Sequence, residues 1–550
     1  MIFKLLIFVL ILIQSIKGEI SPGNPEIKLE TGKVRGQLIN FRGSIVYEFL
    51  GIPFAEPPIN ELRFKKPVPV KPWNDVKSMT NWPPHCTQAL FPGFNSDYQF
   101  SEDCLTLNVI TPSALEHGDK RLRPVMVWIH GGGFAIGSAH FDAYNGTILA
   151  ATEDIVYVAI NYRLGALGFL HLPEHGVPSN LGLWDQLLAL QWVKNNIKQF
   201  GGDPDQVTIF GESAGGISVA ALVVSPRAKG LFKNAILQSG SILNIDTWFN
   251  PKSSEIIMEK SNCNSAENVF SCLQSANESV FASVNDFLFW PVHGDDFLPE
   301  DPNNLIKSID SSVNILLGTV GNEGASMLTL TDPVTFDAVN PVNLTFVEAK
   351  TIIGDIYGDE WIGYIVDKFF DKIDHNDPNQ LRLAIGQSLG DITLACPTYM
   401  FGRDAVKYSK SNVYAYYQSH KPSKPIFKIT PESNWIPATH GDDVPMMFGG
   451  PLNDSTYNQE DTILSMVMLD IWGEFARTGK VPKVGSREWL KWTSDESGKV
   501  EMPVKELNSR GLSQFSNQIA LDCQKNWPFP IKQLNTNFGN KIKPDNHEEL

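Results

Sequence analysis

The chain has 550 residues, 42% hydrophobic and 19% charged, enough to bury a large core. Its formal net charge of −16 repels phosphate backbones and argues against nucleic acid as a partner. No internal repeat and no Pro/Ser/Gly linker divides it, so residues 19–546 read as a single domain with large insertions.

The chain opens with MIFKLLIFVLILIQSIKGE. Lys4 precedes an apolar run from Leu5 to Ile13, and small and polar residues follow near Gly18. A charged start and an apolar stretch too short for a bilayer read as a signal peptide over residues 1–18, with an N-terminal anchor as the alternative. Its removal takes away Lys4 and Lys17 and moves the net charge from −16 to −18. No later run reaches about 18 apolar residues, so no stable membrane span is expected.

Val125–Ile129 and Ile155–Ile160 read as buried strands. Leu183–Phe200 carries apolar residues at helical spacing, and GGDPD after it reads as a stop and turn. Gln206–Phe210 is a further strand, residues 214–224 a helix of small and apolar residues, and Asn234–Gln238 and Asn314–Gly318 two more strands. Helical patterns follow over about 345–410 and over 459–478. This alternation predicts an α/β fold with a mostly parallel central sheet covered by helices on both faces.

TIFGESAGGIS, residues 208–218, places Ser213 between Gly211 and Gly215 at a strand-to-helix junction. There G-x-S-x-G is a nucleophile elbow: side chains two residues either side of the serine would strike neighbouring backbone. A nucleophilic serine needs donors for an oxyanion, a base, and an acid to orient that base. WIHGGGFAIGS follows an earlier strand and supplies a glycine loop, so the amides of Gly132, Gly133 and Ala214 are the expected donors. Two histidines sit in nearly the same word, His293 in PVHGDDF and His440 in ATHGDDVP. Chain order serine–acid–histidine selects His440. Glu323 in NILLGTVGNEGASML is the leading acid, while Asp295, Asp296 and Asp391 compete on spacing alone.

Cys86, Cys104, Cys263, Cys272, Cys396 and Cys523 form an even set behind a signal peptide. Proximity pairs Cys86 with Cys104 and Cys263 with Cys272, leaving Cys396 with Cys523. No Cys/His spacing suggests a metal, and the chemistry requires no metal or organic cofactor. Asn145, Asn277, Asn343 and Asn453 stand in glycosylation sequons. The terminal His547-Glu548-Glu549-Leu550 is similar to retrieval tails of the endoplasmic reticulum, which places the chain in that lumen with secretion as the alternative.

Together these words resemble the type-B carboxylesterase/cholinesterase family of the α/β-hydrolase superfold. FLGIPFAEPP (49–58) with LRF (62–64), and SEDCLTLNV (101–109), resemble its signatures. NYRLGALGFL (161–170), NLGLWDQ (180–186), FGGDP (200–204) and GESAGG (211–216) resemble its segments up to the elbow. The resemblance implies a triad of Ser213, Glu323 and His440 and the three cysteine pairs above. It also implies structural ion pairs Arg63–Glu102 and Arg163–Asp185, and Ser239 as a neighbour of the acid. Two features depart from sister groups. The Cys86–Cys104 loop is short and lacks the tryptophan that holds choline in cholinesterases, with Tyr98 as a weak substitute. Glu212 stands where juvenile-hormone esterases usually carry glutamine.

The resemblance therefore implies a carboxylesterase that cleaves broad, xenobiotic or lipid-type small-molecule esters through an acyl-enzyme. A choline ester hydrolase and a non-catalytic adhesion or scaffold member are the alternatives. Phe287, Phe289 and Trp290 are candidate acyl-pocket residues, with core packing as the competing role. The oligomeric state is left open.

Overall fold

The computed structural model describes residues 24–89, 98–112, 121–243, 245–248, 252–284, 289–426, 433–531 and 534. The expected signal peptide (1–18), the terminal tail (547–550) and Phe287 lie outside these residues.

The central sheet has ten strands. They are β1 (Gln37–Phe41), β2 (Ser44–Pro53), β3 (Thr106–Pro112), β4 (Arg123–Ile129) and β5 (Val156–Ile160), then β6 (Gly202–Glu212), β7 (Asn234–Gln238), β8 (Asn314–Val320), β9 (Val413–Gln418) and β10 (Val504–Leu507). Their spatial order is β10-β9-β8-β7-β6-β4-β5-β3-β2-β1. Pairings from β10 through β5 are parallel, and those among β5, β3, β2 and β1 are antiparallel.

Side chains alternate across a strand, so each strand feeds two cores. Val125, Val127 and Ile129 enter one apolar cluster, whereas Met126 and Trp128 enter the other. Ile209, Leu237 and Leu317 join the first, and Phe210, Ile236 and Leu316 the second. Both faces of the central strands are therefore buried, which is why they read as unbroken apolar runs.

The helices that matter for the site are α1 (Leu181–Asn196), α2 (Ala214–Val224), α3 (Glu323–Thr331), α4 (Pro378–Gly390), α5 (Cys396–Tyr408) and α6 (Gln459–Thr478). α2 buries Ile217, Val219 and Leu222 in the first cluster, and α6 buries Leu464, Met468, Trp472 and Phe475 in the second. The sheet is thus covered on both faces. Two boundaries differ from expectation. α1 begins two residues early and ends at Asn196, with a tighter 3₁₀ turn over Ile197–Phe200. GGDPD is not wholly a turn: Gly202 pairs with Arg123, so β6 begins there and is irregular until Val207.

The cysteines join as Cys86–Cys104, Cys263–Cys272 and Cys396–Cys523. Both expected ion pairs form. Arg63 Nε donates to Glu102 at 2.7 Å, and Arg163 donates to both Asp185 oxygens at 2.8 and 2.7 Å.

Candidate active site

Parallel strands carry their loops to one edge, and the candidate residues meet beyond the carboxyl ends of β4, β6 and β8. β6 ends at Glu212 and α2 begins at Ala214, leaving Ser213 alone to make the turn. Its φ of 60° and ψ of −125° are rare for a residue with a Cβ and cost on the order of 1–3 kcal/mol. Ser213 N donates to Gln238 O at 2.9 Å, and Ile217 N donates to Ser213 O at 2.9 Å. A Cβ on Gly215 would lie 2.0 Å from Ile129 O, and one on Gly211 2.5 Å from the same oxygen. The two glycines are thus demanded by the end of β4. Ser213 is half-buried among buried neighbours, and its Oγ has no hydrogen-bond partner among the described residues.

The glycine loop leaves β4 beside this turn. A Cβ on Gly131 would lie 3.0 Å from Ser213 Cβ. Gly132 and Gly133 have φ of 107° and 59°, and Ala135 N and Ile136 N both fold back onto Gly132 O, at 3.1 and 3.0 Å. No hydrogen bond of the described loops and turns uses the N–H of Gly132 or Gly133. The Ala214 N–H opens α2, where first-turn amides have no acceptor within the helix.

The acid and histidine loops are tied together before their side chains meet. Asn322 N donates to Ala438 O at 2.8 Å, and Thr439 Oγ1 donates to Asn322 O at 2.8 Å. On this frame His440 Nδ1 lies 2.7 Å from Glu323 Oε2. The other carboxylate oxygen of Glu323 accepts from Ser239 Oγ at 2.6 Å and Val320 N at 2.8 Å. Ser239 thus sits where the resemblance placed it. With Nδ1 donating to a carboxylate, Nε2 is the nitrogen left to act as a base.

The structure brings Glu323 and His440 into a bonded pair but does not close a bond from His440 to Ser213. Nε2 instead lies 3.1 Å from Glu212 Oε1, without hydrogen-bond geometry, and that oxygen is buried and unpaired. Burial drives the His440 imidazole down, but the charges of Glu212 and Glu323 outweigh it and hold the ring above its ordinary value. Burial likewise raises the Glu212 carboxyl, against the pull of His440. The two shifts compete, because a protonated Glu212 has no charge with which to hold the imidazolium. The rise at His440 is the firmer one, since Glu323 supports it through a separate hydrogen bond.

A third buried carboxylate stands behind the histidine. Asp443 accepts from Gln238 Nε2 at 2.9 Å and Tyr416 OH at 2.7 Å, while Gln238 Oε1 accepts from Trp472 Nε1 at 3.2 Å. Asp442 Oδ2 accepts from Thr439 N at 2.9 Å and braces the turn on which His440 sits. Nothing in the HGDD word itself points to a role for these two acids.

The competing acids lie apart from His440. Asp295 caps its own turn through Phe297 N and Leu298 N, Asp296 pairs with Lys66 at the surface, and Asp391 bonds Gln387. Phe289 and Trp290 are buried, and Trp290 packs edge-on against Phe134 of the glycine loop at 5.2 Å. Tyr98 stacks on Phe141 at 5.6 Å and lies 4.5 Å from the His85 ring. Asn277, Asn343 and Asn453 are exposed; Asn145 is half-buried, with its side-chain oxygen on Thr147 N.

A family model described as the carboxylesterase family matches residues 23–516. The chain is 35% identical over 525 residues to an acetylcholinesterase of Bungarus fasciatus, covering 88% of this chain and 84% of that protein. It is 33% identical over 507 residues to acetylcholinesterase-1 of Trittame loki, covering 86% and 89%. It is 34% identical over 565 residues to pyrethroid hydrolase Ces2e of Rattus norvegicus, covering 98% of this chain and 95% of that protein.

Proposed function

Because the chain belongs to the carboxylesterase family and is a hydrolase of carboxylic esters, we propose that it works through Ser213, His440 and Glu323. Ser213 Oγ attacks the ester carbonyl as His440 Nε2 takes its proton. Glu323 holds Nδ1 and stabilises the imidazolium. The amides of Gly132, Gly133 and Ala214 receive the oxyanion. His440 returns the proton to the departing alcohol, and a water activated by the same nitrogen then releases the acid.

The carrying observation is the 2.7 Å contact between His440 Nδ1 and Glu323 Oε2 beside the strained Ser213. The open Ser213–His440 contact does not oppose it, since catalytic hydrogen bonds often tighten only once substrate is bound. Ser213→Ala is expected to abolish both hydrolysis of p-nitrophenyl acetate and labelling by a fluorophosphonate; retained hydrolysis in a pure sample would sink the mechanism.

Neutral, bulky esters are the substrate class we favour over choline esters. The short Cys86–Cys104 loop has no tryptophan for a quaternary ammonium. The ring of Tyr98, the nearest substitute, is already stacked on Phe141. Similarity to a pyrethroid hydrolase over 98% of this chain supports the same reading. Acetylthiocholine against neutral aryl esters of matched leaving group decides it; faster turnover of the choline ester would reverse the assignment.

Three disulfides, and the lack among the described residues of any helix long and apolar enough to cross a membrane, fit a protein of the secretory pathway. Residence in the endoplasmic reticulum through His547–Leu550, cleavage near residue 18, a single catalytic domain over 19–546 and glycans at the four sequons belong to the same proposal.

A further inference from the structure

The glycine loop beside Ser213 is held at both ends, and one of the two holds comes from outside the elements so far assigned a role. At its start, Tyr162 OH donates to His130 O at 2.8 Å and the two rings stack 4.4 Å apart. At its far end stands Gln88, a buried residue two positions past Cys86 of the Cys86–Cys104 disulfide. Gln88 Nε2 donates to Gly137 O at 2.8 Å and to Cys86 O at 2.9 Å, and Gln88 Oε1 accepts from Gly137 N at 2.8 Å. One carboxamide thereby satisfies both backbone groups of Gly137, as a neighbouring strand would.

Gly137 bears directly on the loop's geometry. Its φ is 119°, and a Cβ there would lie 2.4 Å from His130 Nδ1 and 2.5 Å from Gly131 O. It is therefore seated against the two residues that lead into Gly132. Between them the loop is tight: a Cβ on Gly132 would lie 2.1 Å from Ile136 O. With so little slack, a shift of Gly137 displaces Ile136 and Gly131 together, and with them the N–H groups of Gly132 and Gly133.

We infer that Gln88 is a positioning residue for ester hydrolysis: it clamps Gly137 and so aims the Gly132 and Gly133 amides at the oxyanion. This rests on the proposed oxyanion donors. Such donors act on charge that develops only in the transition state, so loosening them lowers kcat and leaves substrate affinity nearly alone. The disulfide adds a link, since Gln88 also bonds the carbonyl of Cys86. The Cys86–Cys104 disulfide is thereby joined to the glycine loop through Gln88.

Two variants of the full chain test the inference. Gln88→Ala is expected to lose about 10- to 100-fold in kcat, with KM within about threefold of the parent. Its affinity for an aryl trifluoromethyl ketone, whose serine adduct carries the same oxyanion, falls by a matching factor. Rates are normalised to sites titrated to completion with a fluorophosphonate, so a misfolded fraction does not count as lost catalysis. Gln88→Glu adds a readout that plain destabilisation would not give. Ionised, the glutamate has two acceptors and no donor for Gly137 O; protonated, it again offers one of each. Its activity relative to the parent at the same pH is therefore expected to rise from about pH 8 to about pH 6, where burial favours the neutral acid. Parental kcat per titrated site in Gln88→Ala, or a flat activity ratio in Gln88→Glu, overturns the inference. Retained hydrolysis by Ser213→Ala would instead sink the underlying mechanism, and it is read on a different variant.

Discussion

The word HGDD occurs twice in this chain, and its two copies have opposite fates. His440 is 9% exposed and bonded to Glu323, and the following Asp442 and Asp443 are buried and bonded inward. The His293 side chain is 35% exposed, 3.5 Å from an Asp246 carboxylate that is itself 64% exposed. Asp295 there caps its own turn, and Asp296 pairs with Lys66 in solvent. The same four residues thus make a buried, internally bonded corner in one place and a surface turn in the other. What separates them is where the chain delivers each word. The second copy is pinned to the loop beyond β8 through Asn322 and Thr439. The first follows Trp290 outside the sheet, where Val292 N donates to Asn180 Oδ1 and Gly294 N to Leu298 O.

The sharpest way to break this contrast is to truncate both histidines. His440→Ala is expected to reduce kcat/KM by about 10³-fold or more, the scale of losing a general base that acts with its nucleophile as a unit. His293→Ala is expected to stay within about twofold, as for a surface turn residue. Steady-state hydrolysis of a neutral aryl ester measures both. Comparable losses at the two sites would mean that the first copy also reaches the reacting groups. The acids give the next contrast, in stability. Asp443→Ala strands the buried Gln238 Nε2 and Tyr416 OH and is expected to cost about 2–4 kcal/mol in denaturant unfolding. Asp296→Ala, with its carboxylate in solvent, is expected to leave the unfolding midpoint where it was.

How far each feature was legible follows from the range of the interaction behind it. The elbow was readable because its requirement is steric and local: Gly211 and Gly215 both answer to the single carbonyl of Ile129. The central strands were readable because burial on both faces leaves apolar runs. The carboxylate that pairs with His440 is harder to read. Any acid after a strand offers the same local pattern, and family resemblance rather than spacing singled out Glu323. The support behind His440 left no local trace. Gln238, Tyr416, Asp443 and Trp472 come from β7, β9, the histidine loop and α6, and they meet only once the sheet is assembled. Gln88 was silent for the same reason, its partner Gly137 lying 49 residues away in sequence. Glu212 adjoins Ser213 in the sequence, but its 3.1 Å approach to the histidine depends on the elbow's backbone angles.

Glu212 offers the finest contrast, because each histidine has a carboxylate within salt-bridge reach and only one of those carboxylates is buried. An anion beside His440 favours the imidazolium, so it holds the base protonated to higher pH. Glu212→Gln keeps the shape and removes the charge. The acid limb of kcat/KM is therefore expected to move down by about one pH unit, leaving Glu323 to support the ring. The same change acts on stability in a fixed direction. A histidine raised by folding keeps a proton that the unfolded chain releases. Between its unfolded and folded values the native state holds the extra proton, so stability falls as pH rises through that window. With glutamine at 212 the folded value drops, the window narrows from its alkaline end, and the decline is expected to shrink. Asp246→Asn beside His293 changes a charge already in solvent and is expected to move neither curve. An acid limb that stays in place in Glu212→Gln would show that Glu212 already carries the proton in the working enzyme. The charge holding His440 up would then be that of Glu323.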